Sequence, residues 1–91
     1  MAVTIQIPGP LKSSAGDASA LEVAAASVRA ALAEIERIHP ALYTSICEET
    51  GKVRRHVNLF VNSTNIRERE GLDTALIDGD VVIILPAVSG G

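Results

Sequence analysis

The sequence predicts an α+β domain: a sheet of four to five strands with one main helix packed across a face. Three observations carry this. Residues 3–7 (Val3-Thr4-Ile5-Gln6-Ile7) alternate strictly between apolar and polar, the period-two signature of a half-buried strand. Residues 81–85 are an unbroken apolar run, mostly β-branched, between Asp78-Gly79-Asp80 and Pro86, the pattern of a buried central strand. Between them, Val28, Ala31, Leu32, Ile35 and Ile38 recur on one helical face, with Arg29, Glu34 and Arg37 elsewhere. An apolar sheet face needs cover, and this helix supplies it.

The remaining elements follow in order. Pro8-Gly9-Pro10 stops the first strand, and residues 11–19, rich in Ser, Gly and Ala, read as a long, loose connection. By propensity residues 20–38 read as one long helix, with Ser19 and Glu22 as a possible capping box. The alternation Leu21-Glu22-Val23, a second N-cap candidate at Ser27 and, in part, a family resemblance assign instead a strand over residues 20–25 and the helix over residues 27–39. His39-Pro40 ends it, because the residue before proline is pushed out of helical backbone. Leu42 and Ile46 suggest a short helical turn, and residues 48–52 a polar turn. Residues 57–62 form a strand with Val57, Leu59 and Val61 on one face and Asn58, Phe60 and Asn62 on the other. Residues 63–65 read as a turn, 66–67 as a short extended piece, and 71–77 as a turn or short helix. In the last strand Val82 and Ile84 are expected to face the helix, leaving Ile83 and Leu85 on the side of Phe60.

Composition narrows the function. At 91 residues the chain is one small domain. Its 47% hydrophobic content suffices for a core and is too high for a disordered chain. Tyr43 and Phe60 are the only aromatics, so a nucleic-acid binder that stacks bases is not expected. A net charge of −3 points the same way. The single cysteine, Cys47, excludes an internal disulfide and any multi-cysteine metal site. No apolar run approaches the roughly 18–20 residues of a membrane span, and the N-terminus lacks a signal-peptide pattern, so a cytoplasmic protein without a membrane partner is expected.

No catalytic set stands out. Glu48 and Glu49 are adjacent and do not converge on one point, so a turn explains them better than acid–base chemistry. Cys47 reads as a small buried residue, with no neighbouring His or Lys in sequence to activate it. His39 and His56 are too few for a metal site, and none is expected. Lys52, Arg54, Arg55 and His56 read as a solvated approach to a strand more readily than as a contact for an acidic partner. The chemistry sits at the end of the chain. After Pro86, the residues Ala87-Val88-Ser89-Gly90-Gly91 have no means of burying themselves, and two terminal glycines suit a channel that admits backbone only. The division expected is therefore a folded domain over residues 1–85 and a flexible tail over residues 86–91.

The run from Asp78-Gly79-Asp80 through the apolar strand to Pro86-Ala87-Val88-Ser89-Gly90-Gly91 resembles the ubiquitin-like sulfur carriers of the MoaD/ThiS family. Gly51-Lys52-Val53, the strand from Val57 to Asn62, Ile66-Arg67 and Gly71-Leu72-Asp73-Thr74-Ala75 are similar to family members serving cysteine biosynthesis. The resemblance concentrates in residues 51–91; residues 1–40 match only in pattern. It implies a β-grasp fold with a mixed sheet. It implies a carrier that is not an enzyme and binds no cofactor. Gly91 is then adenylated by a ThiF/MoeB-like enzyme using ATP and converted to a thiocarboxylate that donates sulfur. Val88, Ser89 and Gly90 form the tail that reaches the enzyme. A cysteine synthase-like acceptor is implied first, the molybdopterin synthase large subunit second, and a tail-trimming metalloprotease is a further candidate partner. Phe60, Ile83 and Leu85 are the candidate partner-binding patch, against the alternative that Phe60 is a core aromatic. Two other readings stay open: a ubiquitin-like modifier joined to lysines through Gly91, and an interaction module with an inert tail.

Overall fold

The strands expected at residues 3–7, 20–25, 57–62 and 81–85 all form. The computed structural model describes residues 2–86, and the tail expected over residues 86–91 lies outside that range from residue 87 onward. Strand β1 is Ala2–Gln6, β2 is Ala20–Ala24, β3 is Val57–Val61, β4 is Thr64–Asn65 and β5 is Val81–Pro86. Helix α1 spans Val28–Ile38 and α2 spans Pro40–Ile46. The strand order is β2-β1-β5-β3-β4. β1 and β5 are parallel, with Ile5 beside Val82, and the other neighbouring pairs are antiparallel. The sheet is therefore mixed, with the first and last strands adjacent at its middle. Parallel neighbours need a long crossover, which is why the helices and the other strands lie between them in sequence.

Local chemistry fixes the helix ends. Ser27 caps α1, its Oγ accepting from the Ala30 N–H at 3.1 Å. His39 closes it by donating its backbone N–H to the Ile35 carbonyl at 2.7 Å. Val28, Ala31, Leu32 and Ile35 then pack on Val3, Ile5, Val57, Leu59, Val61, Val82 and Ile84 of the sheet, all at most 4% exposed.

Three stretches differ from expectation. Residues 11–19 are not a loose connection: Gly9–Ala15 is a 3₁₀ helix with a proline at its start, Gly16 at φ +64° at its end, and Ala15 buried. Proline pre-sets the first turn and glycine takes the left-handed stop, and both lie in plain sight. The turn expected around Leu42 and Ile46 is the seven-residue helix α2, opened by Pro40, with both residues fully buried. Residues 63–65 and 66–67 exchange roles. Asn62 adopts φ +57° and turns the chain early, so Thr64–Asn65 pairs with β3 as β4. Ile66–Glu68 is then a 3₁₀ turn whose start is capped by the Asn65 side chain, accepting from Arg67 N–H at 2.9 Å. Residues 71–77 hold the short helix expected of them, a 3₁₀ turn over Gly71–Asp73, and beyond it Thr74 and Leu76 are buried and clasp the start of α1. Val28 N–H donates to the Thr74 carbonyl at 3.0 Å and Leu76 N–H to the Ala26 carbonyl at 2.9 Å. The buried Thr74 hydroxyl donates to the Gly71 carbonyl at 2.7 Å.

The Asp78-Gly79-Asp80 turn ties the two central strands together. Ala2 N–H donates to Asp78 Oδ1 at 2.9 Å, and Thr4 N–H to the Asp80 carbonyl at 3.0 Å. Gly79 sits at φ +90°, where a side chain would be strained. The Asp80 carboxylate accepts from Ile77 N–H at 2.9 Å and from the Asn62 amide at 3.1 Å. Asn62 Oδ1 in turn accepts from Val81 N–H at 3.1 Å.

Two predictions follow from this packing. Leu32→Ala and Leu59→Ala should each cost about 2–5 kcal/mol of stability in denaturant unfolding, because each empties a site between helix and sheet. A loss below about 1 kcal/mol at both would contradict that packing. The Ile77 N–H, and next the Asn62 amide, hold the Asp80 carboxyl below the ordinary carboxylate range. The folded state then binds this proton less tightly than the unfolded chain. Asp80 accordingly contributes stability above the ordinary range, and that share is lost as pH falls through its depressed folded value. Asp80→Asn should therefore flatten the fall in melting temperature between about pH 5 and about pH 2. An unchanged acid limb would dismiss Asp80 as a contributor.

Candidate functional site

Alternation along β3 and β5 divides their side chains between two faces. Val57, Leu59, Val61, Val82 and Ile84 are buried under the helices. Their neighbours point to the open face. Phe60 pairs with Ile83, and Asn58 with Leu85. Phe60 and Ile83 are half-buried, and Leu85 is 46% exposed. Phe60 is thus not a residue of the helix-covered core, and the three patch residues proposed from sequence share one surface. On the other side of β5, Thr4 and Gln6 of β1 pair with Val81 and Ile83. The surface has an apolar centre and a polar margin.

β5 delivers the chain to this surface's end. It runs through Pro86, which pairs with Val57. Pro86 has no N–H to donate to a ladder. The candidate residues Val88, Ser89, Gly90 and Gly91 follow, outside the described residues.

The other chemistry-bearing side chains have structural roles. Cys47 is 2% exposed. Burial pushes its thiol above the ordinary range, outweighing the Tyr43 hydrogen bond and the Arg54 charge that favour thiolate. That disfavours a nucleophile. Glu48 starts the turn, its backbone N–H donating to the Lys52 carbonyl at 2.8 Å. Arg54 is not simply solvated: its Nε donates to the Thr44 carbonyl at 2.8 Å, near the end of α2. Among the described residues no three His, Cys, Asp or Glu side chains gather as metal ligands, and no helix is long and apolar enough to cross a membrane.

Sequence reasoning missed one polar feature of the open face. Arg67 reaches back along β3, donating from Nη1 to Asn58 Oδ1 at 3.1 Å and from Nη2 to the Val57 carbonyl at 3.4 Å. The signal available was the Asn65…Glu68 spacing. An Asn cap followed three residues later by Glu marks a helical start, though it does not tell which way Arg67 turns.

Residues 5–91 match the model of the ThiS family. The chain belongs to that family. It is 34% identical over 93 residues to sulfur carrier protein CysO of Mycobacterium tuberculosis, covering 100% of each. A chain of the Amycolatopsis orientalis BexX/CysO complex superposes with a TM-score of 0.90 at 34% identity, covering 98% of this chain and 99% of that one. Small archaeal modifier protein 1 of Methanosarcina acetivorans gives 0.87 at 32% identity, covering 99% and 96%. The fold is accordingly the ubiquitin-like β-grasp, and the chain is a sulfur-carrier-type protein, a protein substrate rather than an enzyme.

The division of faces carries its own test. Phe60→Ala should cost less than the roughly 3–5 kcal/mol of a buried Phe→Ala, and less than Leu59→Ala measured alongside. A larger loss at Phe60 than at Leu59 would place it in the core.

Proposed function

We propose that Gly91 is the working group of this protein and that the folded domain is its handle. The terminal carboxylate is a poor electrophile. Attack of its oxygen on the α-phosphate of ATP, catalysed by a ThiF/MoeB-like partner, releases pyrophosphate and gives an acyl-adenylate. A persulfide on a partner then displaces AMP to give an acyl disulfide. A thiol attacks the partner's sulfur, so that the sulfur–sulfur bond breaks, the thiocarboxylate leaves on Gly91 and a disulfide forms on the partner. The thiocarboxylate sulfur displaces a leaving group from an acceptor, and hydrolysis of the acyl–sulfur bond by water frees the sulfur-bearing product and returns the carboxylate. Every catalytic group belongs to a partner, which agrees with a chain whose own Cys47 is buried and disfavoured as thiolate.

The observation that carries this reading is a family match extending to Gly91, together with full-length similarity to CysO. That similarity favours cysteine biosynthesis as the destination and a cysteine synthase-like acceptor. The apolar strip of Phe60, Ile83 and Leu85 is the surface the adenylating enzyme grips, since it lies on the strand that ends where the tail begins. Similarity to small archaeal modifier protein 1 supports a second reading, in which activated Gly91 is joined to amines on other proteins.

Intact mass separates them. Incubation with ATP, the adenylating enzyme of the same organism and a sulfur donor should add the mass difference between sulfur and oxygen. A ladder of conjugates in cell extract would favour the modifier. One residue appended after Gly91 moves the carboxylate by about 3.5 Å. Errors near 1 Å can already cost about a hundredfold, so the extended protein should fold normally and gain no sulfur. Gly90→Val should behave alike, and Phe60→Ala should slow ATP–pyrophosphate exchange. Normal thiolation of the extended or Gly90→Val protein would defeat the tail mechanism.

A further inference from the structure

We infer that Arg67 is the charged anchor of the docking face and pairs with a carboxylate on the adenylating enzyme. This rests on the carrier reading above. Three observations point to it. The first is place. Arg67 bonds to Asn58 and to the Val57 carbonyl, and these residues pair with Leu85 and Pro86. The guanidinium therefore lies in the row of the sheet from which the tail departs, next to the most exposed apolar residue of the open face.

The second is preorganisation. The Arg67 backbone N–H is held by Asn65 Oδ1 at 2.9 Å, and two of the five guanidinium donors are held by β3. A restrained fork loses less entropy on binding than a free one. The third is charge. All its acceptors are neutral: an amide oxygen and a backbone carbonyl. The ion pairs among the described residues are Arg29–Asp73 and Arg37–Glu34, and neither includes Arg67. Arg67 itself is exposed. Its orientation is bonded while its charge is left uncompensated. Three donors remain, matched in geometry to a carboxylate.

Reach identifies which group this is. Residues 87–91 extend at most about 18 Å, so Gly91 can enter the nucleotide site while Arg67 stays with the domain. The occupant is then a side-chain carboxylate on the enzyme's outer surface, flanking an apolar patch that receives Leu85, Ile83 and Phe60. Arg67 is thus a positioning residue, acting on encounter and register rather than on the acyl transfer.

The test is ATP–pyrophosphate exchange with the ThiF/MoeB-like enzyme of the same organism, using wild type, Arg67→Lys, Arg67→Gln and Arg67→Glu, each with a thermal melt. Arg67→Gln keeps a hydrogen-bonding side chain without the charge. It should raise the KM for the carrier about tenfold with kcat unchanged. Arg67→Glu should raise it further, and Arg67→Lys should restore part of the loss. Added salt should raise the wild-type KM more steeply than that of Arg67→Gln. An Arg67→Gln KM equal to wild type would overturn the inference, as would a defect that follows the melting temperature or appears only at the later sulfur-accepting step. Wild type that exchanges normally while all variants match it sinks Arg67 alone. Wild type that is never adenylated sinks the carrier reading and this inference together.

Discussion

The parallel pairing of β1 with β5 is the constraint on which the rest depends. It joins the beginning of the chain to its end, with Thr4, Ile5 and Gln6 opposite Val81, Val82 and Ile83. Closing so long a loop is entropically costly, and these few ladder bonds do not offset it alone. The Asp78-Gly79-Asp80 turn supports the pair at one end through Ala2 and Thr4, and the α1 face buries Ile5 and Val82 from above. Once β1 and β5 are side by side, β2 and β3 add at their free edges by antiparallel pairing, and β4 extends β3 by a tight turn.

Legibility followed burial. Residues 57–61, 81–85 and the α1 face were readable because one side of each element must be apolar and the period then fixes which side. The parity of the last strand was not fixed by its own five apolar residues. It is set by its partner: Phe60 beside Ile83 and Leu59 beside Ile84 leave one arrangement that buries both Leu59 and Ile84. The segments read poorly, 9–15, 40–46 and 62–68, are short and owe their shape to caps and tertiary cover. Pro10 with Gly16 and Asn65 with Glu68 did carry that information, but weakly beside a composition that looked like loop. The Arg67–Asn58 bond was beyond sequence reasoning. It spans nine positions and exists only because Asn62 turns the chain where it does.

The two faces of the sheet divide the demands on the protein. One is committed to stability, with aliphatic side chains interdigitated under α1 and α2. The other leaves Leu85 and an arginine exposed to solvent. In the carrier role proposed above, the acyl transfer at Gly91 would use neither face. A residue on the open face can therefore change who is recognised without changing what reaction follows.

The parallel arrangement of β1 and β5 has a mechanical consequence. The two strands begin at the same end of the sheet, so the described chain ends far from where it starts. A pull on the last strand against the first runs along both, and loads their hydrogen bonds in shear, all at once, rather than peeling them one by one. A partner that draws the terminal segment into a narrow channel, or tugs a covalently joined product back out, works against the strongest direction of the fold. The domain acts as a rigid stop behind its own thread.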